Sequence, residues 1–489
     1  MNILFLHRLD LVHLYAPISK SLSMNNKIIH VAFSDFEESI LKNQYEVAGD
    51  IYNLTKIRDS YFDHLDDFVS IDELDAFIVK NSDGRFNLNT SIYLDRTYIN
   101  LTLKECYQIS WAYYKTWDLI FNESSPNLFF HEPPAIFFTH LASLFCKVHK
   151  SHYLTQIHIA GSKKQQWIFL EGDNAYPLEI ELSKELSYTK DKRIEVDAFI
   201  ASFVKNQDIL MAEIIIKSTA YNQWKTFLFA KRFLGLVYRR INNGLKRVEK
   251  VQPKEHIQKF LAYNRKSFFV ELENIYGRIF QNYFSEPKEN EKYFFYPLHL
   301  EPEAVVLYYA DGWYEGQIKL IENIAMQLPV GIFLYVKDHP HGGTYRDVRD
   351  YKRLLRLKTI RLIQPEISGK HLIRNSIGVI TINGTAGFEA LLMKKYVFCF
   401  GKAFYSNFKG VHYLDHIKDL KKAILDINLI EDNEFQRNDI SSFLESSHEG
   451  FISYFSGRQN IMGIDLKRNA EIVAMGIEKL IIKLENISN

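Results

Sequence analysis

"GVITINGTAGFEALLMKKYVFCFGK", residues 378–402, sets an apolar run, a turn holding Gly384 and Gly387, a longer apolar run and a second short one end to end. Short apolar runs bounded by turn residues read as buried strands, and the longer run between them has the spacing of a helix. Two strands joined through a helix form one unit of a parallel α/β sheet. The pattern repeats upstream. "YFFYPLHL" (293–300), "GIFLYVKDHP" (331–340) and "TIRLIQPE" (359–366) predict strands, and "GQIKLIENIAMQL" (316–328), "YRDVRDYKRLLRL" (345–357) and "GKHLIRNS" (369–376) predict the helices between them. Alternation to a fifth strand predicts a doubly wound domain over 291–489.

The chain opens in the same style. "NILFL" (2–6), "LYAPISKSLS" (14–23) and "KIIHVAFSD" (27–35) read as strand, helix and strand, followed later by the helix "ECYQISWAYYKTWDLIFNES", the short strand "NLFF" and the helix "AIFFTHLASLFCKVHK". A second Rossmann-like domain is expected over 1–160. Residues 161–290 are expected to be a helical insertion or connector, since helical periodicity dominates from about 195. Inside it, "KTFLFAKRFLGLVYRRINNGLKRVEK" (225–250) sets Phe227, Phe229, Phe233, Leu236 and Val237 against Lys231, Arg232, Arg239, Arg240, Lys246 and Arg247. Such a helix lies on an anionic membrane face, binds an acidic partner, or packs its aromatic side on the core with its basic side in water. The last helix, "LKRNAEIVAMGIEKLIIKLEN" (466–486), is amphipathic and can pack on either domain.

The 489 residues exceed what one core usually holds, and 47% hydrophobic against 24% charged residues is an ordinary globular balance. Sixty basic and 59 acidic side chains leave no global field for nucleic acid, so no nucleic-acid partner is expected. Cys106, Cys146 and Cys399 lack the paired spacing of a metal site or disulfide framework and read as buried thiols of a reducing compartment. No run reaches the length of a spanning helix, so the protein is expected in the cytoplasm, with any membrane contact made from that side.

Ligands of doubly wound sheets bind beyond the carboxyl ends of the strands, where strand order reverses. Three stretches of the C-terminal half fall there. In "TINGTAGFEA" (381–390), Gly384 and Gly387 let backbone approach a ligand, and the first helical turn offers unpaired N–H groups to a phosphate. Asn383, Gly384, Thr385, Ala386 and Gly387 are therefore candidate nucleotide-binding residues, with Glu389 placed to accept from ribose hydroxyls. The plainer readings are a tight turn and a capping box. The box needs its acid three residues past the cap, whereas Glu389 is four past Thr385. In "KDHPHGG" (337–343), His339 at a strand end beside Pro340 is suited to donate to a phosphate oxygen or protonate a leaving group. In "LHLEPEA" (298–304), Glu303 is a candidate for the pocket, and Asp311 is expected to cap the next helix. At the N-terminal end, position alone nominates His7, Asp10 and Glu132 as candidate bases.

Together, "FFYPLHLEPEA", "LYVKDHPHGGTYRD" and "VITINGTAGFEALLMKKYVFCFGKAFY" resemble the bacterial capsule polysaccharide biosynthesis family, whose members are similar to Kdo transferases using a CMP-activated sugar. The resemblance covers about 291–410. It implies a GT-B architecture, two Rossmann-like domains facing across a cleft, and catalysis without a bound metal or other cofactor. The His-Pro pair is also similar to that of bacterial sialyltransferases, which implies a role for His339 at the CMP phosphate. The reaction so implied is transfer of a sugar from a nucleotide-sugar donor to a surface glycan or its lipid-linked precursor, with His339 at the leaving phosphate; the resemblance matches no base, and Asp10, His7 and Glu132 stand as candidates by position only. A nucleotide-sugar epimerase, a polyol-phosphate transferase and an inactive assembly scaffold are the alternatives.

Overall fold

The structure is a computed structural model that describes residues 1–62, 68–98, 101–158, 166–172, 175–182, 190–205, 229–238, 272–273, 275–276, 283–301, 304–338, 346–365, 367–426, 434–450 and 465–488. The chain divides into two compact units, Met1–Thr189 with Ile440–Asn489, and Lys190–Asp439.

The first unit is built on β1 (Asn2–His7), β2 (Lys27–Ala32), β3 (Asp50–Asn53), β4 (Leu128–Phe130), β5 (His152–His158) and β6 (Gln166–Glu171). With the later strand β13 (His448–Glu449) they form a sheet in the order β13-β6-β5-β4-β1-β2-β3. The β1–β5 pairings are parallel, whereas β6 runs antiparallel to β5 and β13 to β6. Ile3 and Phe5 face the helix Leu11–Leu22 and share a core with Phe130, Leu154, Trp167 and Phe169. On the other part of the unit, Trp117 is wholly buried and its indole N–H donates to the carbonyl of Phe138 at 2.8 Å. The helix Leu103–Ser124 that carries it starts with a reciprocal Thr102–Glu105 capping box and stops where Ser125 turns left-handed, φ 43°.

Two boundaries differ from those read in the sequence. "QWIFLE" at 166–171 is a strand of this sheet, so the first unit extends past 160 and the connector does not begin at 161. The last fifty residues also return here, because the helix Leu466–Ser488 lays Ala470, Val473, Ala474, Ile477, Leu480 and Leu484 into the core against the helix Leu11–Leu22. Glu179, buried, accepts from His448 Nε2 at 2.5 Å and from Lys483 Nζ at 2.6 Å, which ties the returning segment in place. Ile477→Ala and Leu480→Ala should each cost about 2–5 kcal/mol as buried large-to-small changes. A urea midpoint equal to wild type would show that the segment is no part of this core.

The second unit contains β7 (Lys292–Pro297), β8 (Ile332–Lys337), β9 (Ile360–Ile363), β10 (Gly378–Thr381), β11 (Tyr396–Cys399) and β12 (Val411–Tyr413). They form a wholly parallel sheet in the order β12-β11-β10-β7-β8-β9. The five strands expected from 291 onward are present, and Val411–Tyr413 adds a sixth. Both units are therefore Rossmann-like α/β units, in agreement with the fold class read from the sequence. The core of the second gathers Phe294, Tyr296, Leu334, Val336, Ile380 and Phe398 beneath Ile321, Ile324 and Tyr351. All three cysteines are buried.

Residues 229–238 of the basic stretch are helical, with Phe229 and Phe233 stacked at 6.3 Å, Leu236 buried, and Leu234 and Tyr238 exposed. Phe227, Arg239, Arg240, Lys246 and Arg247 lie outside the described residues. Among the described residues no helix is long and apolar enough to cross a membrane.

Candidate active site

In the second unit, strand order reverses between β7 and β10: β8 and β9 extend to one side of β7, and β10, β11 and β12 to the other. A side-chain contact bridges the strand ends at that point. His299, two residues past the end of β7, places Nε2 3.2 Å from the hydroxyl of Thr381, the last residue of β10. The same hydroxyl accepts the Gly384 N–H at 3.1 Å, so the turn before the helix Thr385–Leu392 is held to both strand ends. His299 is itself fixed from behind. Its N–H donates to Gln317 Oε1 at 2.9 Å, and its carbonyl accepts from Gln317 Nε2 at 3.1 Å and from Arg346 at 2.8 Å.

Gly384 is the N-cap, and a Cβ there would stand 3.1 Å from both His299 Cε1 and Thr381 Oγ1. Gly387 has another reason to be glycine. A Cβ would fall 2.3 Å from the Tyr405 hydroxyl, which donates to the Gly384 carbonyl. Gly387 thus makes room for Tyr405 and is buried, in contrast to the ligand approach expected of it. Thr385 is exposed on the first turn, with Asn383 and Ala386 partly exposed beside it, so the edge of the turn faces outward. No side chain caps this helix, and while the Gly387 N–H turns back to the Gly384 carbonyl at 3.0 Å, the N–H groups of Thr385 and Ala386 are left to an incoming acceptor.

Glu389 is not part of a capping box, because the helix begins after Gly384 and places Gly387 at the box position. It is partly buried; burial pushes its carboxyl up to about 7, against the opposing pull of the Lys370 and Lys337 ammonium groups. Lys370 is held with Nζ 3.9 Å from the Phe203 ring centroid and 3.4 Å from the Phe203 carbonyl. A carboxyl with its folded pKa raised above the ordinary 4.5 favours its protonated form in the fold. Its contribution to stability is complete below the unfolded value and is lost as pH rises toward about 7. Glu389→Gln should flatten the fall in melting temperature between those limits, and an unchanged profile would place the titrating group elsewhere.

The ends of the neighbouring loops are fastened by one buried guanidinium. Arg346 Nη1 lies 3.1 Å from Glu301 and its Nε 3.4 Å from Asp338, which also accepts from the Tyr351 hydroxyl. Glu301 reaches further, accepting from the Gly316 and Gln317 N–H groups at 2.8 and 2.9 Å. Glu301 is therefore the carboxylate at the start of the helix Gln317–Gln327. Asp311, expected to cap it, sits upstream in a left-handed turn with φ 54°, too early in the chain because the helix starts after Gly316. His339 and Glu303 lie outside the described residues.

At the carboxyl ends of the first unit, His7 is wholly buried, with Nε2 3.0 Å from His30 Nδ1. Burial and then the charges of His30 and His131 hold it well below the ordinary histidine range, so it is sealed from solvent as a neutral ring rather than presented as a base. Asp10 is exposed on the turn before the helix Leu11–Leu22. Glu132 follows β4 and is partly buried; its carbonyl accepts from Tyr153 at 2.9 Å, and its charge adds to the burial that raises the Tyr15 phenol. Asp10 and Glu132 thus stand at the tips of the adjacent strands β1 and β4, where the order of this sheet reverses.

Residues 227–431 match the family model described as capsule polysaccharide biosynthesis protein. The match takes in the whole second-unit sheet together with His299, Thr381 and the Gly384 turn. No curated protein matches the chain. Among solved structures, the chain is similar to the KpsC β-Kdo 2,4 transferase of Thermosulfurimonas dismutans, at 13% identity over 66% of this chain and 80% of that one, TM-score 0.32. It is similar to the β-Kdo 2,7 transferase of the same organism's KpsC at 11% identity over 72% and 89%, TM-score 0.31. It is also similar to the UDP-GlcNAc 2-epimerase of Neisseria meningitidis, at 11% identity over 99% and 100%, TM-score 0.25.

Proposed function

We propose that this capsule-biosynthesis chain is a glycosyltransferase moving a sugar from a nucleotide donor, a CMP-linked acidic sugar favoured, onto a surface polysaccharide or its lipid-linked precursor. The observation that carries this reading is the Gly384 turn, tied through Thr381 to His299 at the strand-order reversal and ending in an uncapped helix start. Preorganised donors at that place favour an anion whose charge grows as the donor phosphate departs. In this reading the amides of Thr385 and Ala386, with the Thr385 hydroxyl and Asn383 at the edge of the Gly384–Gly387 turn, hold the phosphate, and His339 donates to it. Glu389, with its raised carboxyl, and Glu303 hold the nucleoside. Asp10 or Glu132 takes the proton of the acceptor hydroxyl. In this reading no resident cofactor takes part, and the charge of the leaving phosphate is met by the residues named above.

A melting-temperature panel with CMP, CDP, UDP and GDP tests the site and names the donor class. A nucleotide present at 100 times its dissociation constant should add about 2.7 kcal/mol to stability. Failure of every nucleotide to shift the transition would remove the transferase reading and favour a scaffold. Incubating labelled donor with and without glycan acceptor then separates transfer from epimerisation, and the fate of the phosphorus separates it from polyol-phosphate transfer.

A further inference from the structure

Arg8 is the first residue past β1, at the tip where the first unit's strand order reverses. Its guanidinium lies over the neighbouring rings of Phe33 and Phe138, with Cζ 5.5 and 5.6 Å from their centroids. Among the described residues no carboxylate pairs with it, and its Nε is buried with no hydrogen-bond acceptor. A partly buried cation in that state is costly unless a counter-ion arrives. The nearby carboxylate of Glu37 is engaged by the N–H groups of Leu9 and Ser34 at 2.7 and 2.9 Å.

The neighbourhood carries further unspent polar atoms. His7 is wholly buried, and while its Nε2 meets His30, its Nδ1 has no partner. Gln156, also buried, donates to the Tyr15 hydroxyl at 3.2 Å, yet its Oε1 accepts nothing. Tyr15 links these groups, its ring 6.3 Å from both His7 and His131. His131 is pushed down to about 3 by burial and then by the Arg8 charge. The set therefore combines one cation lacking an anion with buried donors and acceptors suited to hydroxyls.

We infer that the β1 and β4 tips of the first unit form a binding site for a sugar bearing an oxyanion, a carboxylate or a phosphate ester, with Arg8 as the anion-binding residue and Gln156 receiving a hydroxyl. Arg8 pairs with the oxyanion through its planar fork, and the two phenyl rings hold that fork in place. The site does not depend on the nucleotide reading of the second unit, and direct binding tests it without turnover.

The test is titration calorimetry on the full chain with free Kdo as the carboxylate probe, glucose 1-phosphate as the phosphate probe and methyl glucoside as the neutral control. Saturable binding of at least one anionic probe and none of the control is expected, with the responding probe naming the oxyanion. Arg8→Met, which keeps the packing over both rings, should weaken that probe at least about tenfold, the loss of a charge-assisted pair, while Arg8→Lys retains part of it. The melting temperature of each variant reports the fold separately. Equal binding by Arg8→Met, or no anionic probe binding the wild-type chain, would overturn the site, whatever CMP does to the second unit.

Discussion

Replacing Arg346 by methionine is expected to cost about 3–5 kcal/mol of stability, the range for removing one partner from a buried charge network. The side chain is 5% exposed, and it faces Asp338 at 3% and Glu301 at 20%. Methionine fills much of the volume but leaves the two carboxylates without their cation and the His299 carbonyl without a donor. Glu301 and Asp338 are the last described residues before 302–303 and 339–345, which hold the proposed site residues Glu303 and His339. Urea unfolding measures it, with an unchanged slope showing that only the native state is affected. A cost below about 1 kcal/mol, as for an exposed pair, would mean that water screens the network. Lysine at 346 should recover little, because a point charge cannot reach Glu301, Asp338 and the His299 carbonyl in three directions.

The second large effect concerns chemistry. His339→Ala should lower turnover by about 10²–10⁴-fold, the span for losing a positioned proton donor at a leaving group. The melting temperature should stay at the wild-type value. If the histidine serves the departing phosphate, kcat falls with little change in donor KM, since the interaction strengthens as charge develops. Wild-type turnover would remove His339 from the mechanism and leave charge stabilisation to the Gly384 turn and its neighbours.

Much of the scaffold was legible because local signals and tertiary outcome coincide. "GVITIN" and "YVFCF" are apolar on both faces and lie inside a parallel sheet, where both faces are covered. What escaped depends on long-range partners. "QWIFLE" was absorbed into a helical connector, although its aromatic and β-branched content suits a strand; its antiparallel partner β5 decides the matter. The amphipathic stripe of 466–488 announced a buried face without saying which unit it would cover. In the site, Gly387 signalled close approach, but the approaching group is Tyr405, 18 residues later in the chain. His299 was overlooked beside the more conspicuous carboxylates of "LHLEPEA". A histidine two residues past the first strand of the unit, ahead of the reversal point, was the available signal. The unpaired state of Arg8 had no sequence signature, since its isolation follows from where Glu37 and the two phenylalanines fold.

Hydrogen–deuterium exchange of the full chain with saturating CMP, or with whichever nucleotide stabilises it, tests the central claim most directly, because it reports which backbone amides the ligand covers. Slowed exchange is expected at Gly384 to Gly387 and at His299 to Glu301, reduced in Thr381→Val, which removes the hydroxyl joining the two strand ends. Protection confined to the first unit, or none at the Gly384 turn while the nucleotide is bound, would contradict the account.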